Sequence, residues 1–75
     1  MTTTHKLDIT QEHCPMTFVK TRLALEKMNK GEILEVTLTE GEALKSIPIS
    51  VEELGYKILQ IKHIEKNIHK IYIQK

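Results

Sequence analysis

The chain has one thiol, Cys14, and it stands directly before Pro15 in the stretch "EHCPMTF". Proline suits the first position of a helix, where its missing N–H costs nothing. A helix beginning at Pro15 makes Cys14 its N-cap, a place usually held by Ser, Thr, Asp or Asn. Chemistry offers a reason for so poor a capper. The positive end of a helix dipole favours an anion. Helix N-termini lower a thiol pKa from about 8.5 towards neutral or below, and thiolate is the nucleophilic form. His13, next in the chain, adds positive charge when protonated. The competing reading is a small buried hydrophobe, because free cysteine is often buried. Position alone leaves both readings open.

A nucleophile does not by itself name a reaction. Cysteine hydrolases need a histidine base and an orienting group. The four histidines, His5, His13, His63 and His69, show no spacing that supports a triad. Structural zinc wants four ligands with paired spacing such as Cys-x-x-Cys, and that pattern is absent. His13 and Cys14 are neighbours and His5 precedes the same loop, but no metal and no cofactor is expected. His63 and His69 read as polar hairpin residues. A domain this small encloses little substrate pocket. A group carrier, which needs one exposed thiol and a docking surface, fits better than a hydrolase.

The elements around Cys14 follow from periodicity. Residues 1–4 read as a loose lead-in. "HKLDIT" alternates, with Leu7 and Ile9 on one side, as in a strand covered on one face. From Pro15 to about Asn29 a helix is expected, with Met16, Val19, Leu23 and Ala24 inward and Phe18, Leu25 and Met28 widening the stripe. Gly31 suits its end, and Lys27 and Lys30 suit the negative end of its dipole. "EILEVTLT" is a second strand, with Leu34, Val36 and Leu38 on one face. A short helix capped by Ser50 and ending at Gly55 follows, with Glu53 completing a capping box. One helical turn near Glu42–Ser46 precedes it, broken at Pro48. "KILQIKHI" and "IHKIYIQK" form a hairpin about Glu65, Lys66 and Asn67.

The order is β-α-β-α-β-β. Right-handed crossovers put both helices on one side of a four-stranded mixed sheet. The expected fold is therefore a two-layer α/β (α+β) sandwich, a single domain over residues 1–75.

Composition narrows the function. The 75 residues are 40% hydrophobic, enough for one small core. Eleven Lys and Arg face ten Asp and Glu, a balance that argues against nucleic acid as the main partner. The C-terminal lysines, Lys57, Lys62, Lys66, Lys70 and Lys75, are the one argument for RNA; they serve equally as solubilising charge. One cysteine forbids an internal disulfide. "MTTTHKLDIT" lacks the apolar run of a signal peptide, and no segment has the apolar length of a membrane span. A reduced, cytoplasmic setting with no membrane partner is expected.

"LDITQEHCPMTFVKTRLALEKMNKGEILEV" resembles the TusA/SirA-like sulfur-carrier family. The matching features are Leu7-Asp8 at a strand end, Cys14-Pro15, Arg22 further along the helix, and Gly31-Glu32-Ile33-Leu34-Glu35-Val36. Ser46–Pro48, Gly55 and the closing "YIQK" also suit the family layout. The resemblance spans about Lys6 to Lys75. It implies the same sandwich. It also implies a sulfurtransferase in which Cys14 holds sulfane sulfur as a persulfide and passes it from a donor protein to an acceptor protein. The family's sulfur serves tRNA thiolation, molybdenum-cofactor pathways or sulfur oxidation.

Two positions depart from the pattern. Thr17 replaces the second proline of Cys-Pro-x-Pro, and Gln11 stands where a loop glycine is common. The Thr17 hydroxyl is free to make local hydrogen bonds instead. Arg22 lies about two turns beyond Cys14, too far to stabilise the thiolate, and reads as partner docking or as solvated charge. Asp8 braces the cysteine loop or is an ordinary strand-end residue; Met16 meets a partner or packs as core. The alternative to a sulfur carrier is a non-enzymatic interaction or regulatory module on the same fold. An open sheet edge leaves room for a weak homodimer, though no pattern compels one.

Overall fold

The computed structural model describes residues 3–13 and 16–75. Along the chain come β1 (Thr4–Asp8), α1 (Met16–Lys27), β2 (Ile33–Thr39), α2 (Glu42–Glu53), β3 (Lys57–Glu65) and β4 (Ile68–Gln74). The sheet order is β1-β2-β4-β3. β1 and β2 are parallel, and β4 runs antiparallel to both β2 and β3. This is the expected two-layer sandwich.

Alternation on β2 and β4 builds the core. Leu34 lies opposite Ile73 and Val36 opposite Ile71, and all four are buried. Leu38 extends the row, and Ile9, Leu25, Met28, Ile47 and Val51 cover it. Between them, Glu35 and Lys70 point to the open face and pair at 3.1 Å. The Lys70 hydrogen bond is the main cause that holds the Glu35 carboxyl below its ordinary pKa. Strands with one covered face need this division of apolar and polar side chains.

The first four residues are not wholly a lead-in. Thr4 already belongs to β1, and the Ile33 amide donates to the Thr3 carbonyl at 2.9 Å. A larger correction concerns the buried face of α1. Met16, Val19 and Leu23, expected inward, are 44%, 36% and 49% exposed. Thr17 and Thr21 are buried instead, beside Leu25 and Met28, which are buried as expected. The Thr21 hydroxyl donates to the Thr17 carbonyl at 2.8 Å, so its burial leaves no orphan donor. Hydropathy could not announce that a hydroxyl satisfied within its own helix would face the core. The helix also stops at Lys27, and Lys75 caps its end: the Lys75 Nζ donates to the carbonyls of Met28 at 2.7 Å and Glu26 at 3.2 Å.

The second helix also departs from expectation. It is one continuous element with Pro48 inside, neither broken there nor first capped at Ser50. Ile47 and Val51, one turn apart and both fully buried, hold the two halves on one face. Its end is a Schellman motif: Tyr56 N–H donates to the Val51 carbonyl and Gly55 N–H to that of Glu52. Gly55 takes φ +97°, which a side chain would strain. The hairpin loop is Lys66–Asn67, with Lys66 at φ 42° and Glu65 still in β3.

Ile71 is the central contact of this core. Truncating it to alanine should cost about 2–5 kcal/mol. Urea unfolding of Ile71→Ala should show a lower midpoint with an unchanged slope.

Candidate functional site

The β1–α1 connection carries the residues singled out from the sequence. Cys14 and Pro15, and with them the expected N-cap and helix start, lie outside the described residues. Their flanks are well defined. Ile9 is buried and its amide donates to the Thr37 carbonyl at 2.8 Å, extending the β1–β2 pairing by one residue. The chain then turns, and the Glu12 amide donates to the Ile9 carbonyl at 3.1 Å. The Asp8 carboxylate accepts from the Thr10 hydroxyl at 2.7 Å and the Thr10 amide at 2.9 Å. These two bonds, the hydroxyl first, hold its pKa below the ordinary 3.8. Asp8 thus braces the first turn of the connection.

The His13 carbonyl accepts the amides of Met16 at 2.7 Å and Thr17 at 3.3 Å. Helical hydrogen bonding therefore begins at His13. The His13 and Met16 side chains are exposed on either side of Cys14 in sequence. Thr17 is buried. Arg22 is exposed, and its Nε donates to Glu26 Oε2 at 3.1 Å, an i,i+4 pair on the helix surface. It is engaged within α1 and is not drawn towards the connection.

Beside the connection lies a pocket of about 160 Å³. Ile9, Leu38 and Ala43 give it apolar lining, and Thr17 and Thr39 contribute hydroxyls. Glu12, His13, Glu40 and Glu42 complete the lining. It is smaller than the roughly 300 Å³ at which small-molecule sites begin. Lys20 Nζ lies 2.7 Å from Glu12 Oε2 and offsets that carboxylate. Sequence reasoning missed the three glutamates, because α2 brings Glu42 to the connection only through the fold.

The histidines do not gather here. His5, at the start of β1, bonds Glu32 at 2.8 Å. His63 and His69 stack across the hairpin with ring centroids 4.7 Å apart. Among the described residues no group of three His, Cys, Asp or Glu is placed to hold a metal. Of the C-terminal lysines, Lys57, Lys62 and Lys70 share the open face of the sheet, where Lys70 pairs with Glu35, and Lys75 caps α1.

The family model described as sulfurtransferase TusA matches residues 5–75. The chain belongs to the TusA sulfurtransferase family. Among its TusA-like relatives, a candidate sulfur carrier protein of Archaeoglobus fulgidus is 41% identical over 92% of this chain and 78% of its own length. A second candidate sulfur carrier, from Thermotoga maritima, is 39% identical over 95% of this chain and 90% of its own. The candidate sulfur carrier YedF of Escherichia coli is 36% identical over 77% and 75%. No helix among the described residues is long and apolar enough to cross a membrane.

The Asp8 bonds have a pH signature. A carboxyl whose folded pKa is lowered stabilises the fold above its unfolded value, and the contribution is lost as pH falls through the folded value. Carboxyl NMR titration should place the Asp8 midpoint below 3.8. In Thr10→Val, which removes the larger cause, the midpoint should rise towards the ordinary value.

Proposed function

We propose that this protein is a sulfur carrier that holds sulfane sulfur as a persulfide on Cys14 and relays it to an acceptor protein. The observation that carries the reading is the lone thiol of a TusA-family chain, placed in the connection that leads from β1 into α1. The chemistry needs no external oxidant. The Cys14 thiolate attacks the outer sulfur of a donor persulfide, an S–S bond forms to Cys14, and the donor leaves as a thiolate. An acceptor thiolate then attacks the same outer sulfur, and the Cys14 thiolate departs. A lowered thiol pKa serves both steps, giving more nucleophile in the first and a better leaving group in the second.

The surroundings support this role. The positive end of the α1 dipole favours a thiolate near the helix start. The amides of Met16 and Thr17 are already taken by the His13 carbonyl, so the helix acts through its field more than through those two donors. The exposed stripe of Met16, Val19 and Leu23 runs along α1 from that start at helical spacing. It offers a partner protein an apolar contact, with Arg22 and Lys27 exposed alongside. Glutamates around the neighbouring pocket disfavour a phosphate backbone there and favour a protein partner.

Intact mass after incubation with a sulfane-sulfur donor tests the reading. The wild type should gain the mass of one sulfur, reversibly on reduction, and Cys14→Ser should gain none. An unchanged adduct on Cys14→Ser, or no adduct on the wild type with several donors, would overturn it.

A further inference from the structure

β3 is the edge strand farthest from β1, and it is long and apolar for an edge. Leu59, Ile61 and Ile64 are each more than two-fifths exposed. Edges of this kind are templates for pairing unless charge or irregularity blunts them. β1, the other edge, has five residues, and centring it on itself would set Lys6 against Lys6.

We propose that two copies of this chain pair edge to edge through β3, antiparallel about a two-fold axis at Ile61. That register matches β3 to itself. Lys57 of each copy faces Glu65 of the other, Ile58 faces Ile64, and Ile61 faces Ile61. The faces agree as well. Lys57, Gln60, Lys62 and Glu65 lie opposite Gln74, Tyr72, Lys70 and Ile68 of β4, all on the open side of the sheet. Ile58 and Ile61 lie opposite the buried Ile73 and Ile71, on the helix side. Lys57 and Glu65 therefore meet as opposite charges on the open face, where Lys62 faces the neutral Gln60, and the Ile61 pair continues the core row on the other face. Neither Lys57 nor Glu65 forms an ion pair among the described residues.

Register shifts fall between Ile58 and Gln60 and between His63 and Glu65. They leave Gln60–Lys62 regular about the axis and weaken pairing beyond it, so the association is reversible. The product is a continuous eight-stranded sheet. β1 and the connection that follows it stay at the outer edges, so both thiol-bearing segments remain clear of the junction.

Sedimentation equilibrium of the full chain over a concentration series tests this, with Lys57→Glu, Glu65→Lys and their equimolar mixture. The wild type should show a monomer–dimer equilibrium. Each variant alone opposes like charges at both ends of the strand and should dimerise about tenfold more weakly or worse. The mixture should recover dimer, because each copy then meets the opposite charge. Ile61→Lys, which sets two ammonium groups at the axis, should weaken the dimer in the same assay. A wild type that stays monomeric throughout overturns the proposal. So do single variants that dimerise like the wild type, or a mixture that fails to recover.

Discussion

The bond from the Ile9 amide to the Thr37 carbonyl fixes where the chain leaves the sheet. Ile9 is buried in the core at that point, so the exit is anchored by packing as well as by hydrogen bonding. The described part of the β1–α1 connection is built outward from this anchor. The turn to Glu12, the Asp8 brace and the His13 carbonyl that opens the helix occupy successive positions from it. These bonds fix the described residues on both sides of Cys14 in sequence, from Ile9 to His13 and from Met16 onward.

The charges around the connection are balanced locally. Lys20 offsets Glu12, and Arg22 is taken up by Glu26. Such exposed pairs contribute little to stability. Around them the surface is apolar along Met16, Val19 and Leu23 and acidic around the pocket. Of the C-terminal lysines, one is paired with Glu35 and one with the end of α1.

The strands were legible because their period is two and one face is covered, so Leu34, Val36, Leu38, Ile71 and Ile73 could only point one way. The helices were harder. α1 turns Thr17 and Thr21 inward, and the apolar Met16, Val19 and Leu23 outward, against simple hydropathy. That inversion leaves an apolar stripe exposed along α1. Pro48 was misread because tertiary burial of Ile47 and Val51 outweighs its local cost. Of the candidate site, Cys14 and Asp8 stood out in the sequence by residue type and position, and the Asp8–Thr10 bonds came with the fold. The pocket did not stand out, because Leu38, Glu40 and Glu42 come to it from distant parts of the chain.

The central claim is that Cys14 is an accessible thiol whose pKa is lowered at the head of α1. The rate of its alkylation as a function of pH tests this most directly, because the chain has no other cysteine. The account predicts rapid alkylation with a midpoint well below the roughly 8.5 of a free thiol. A midpoint at or above that value, or alkylation that becomes appreciable only on unfolding, would contradict it.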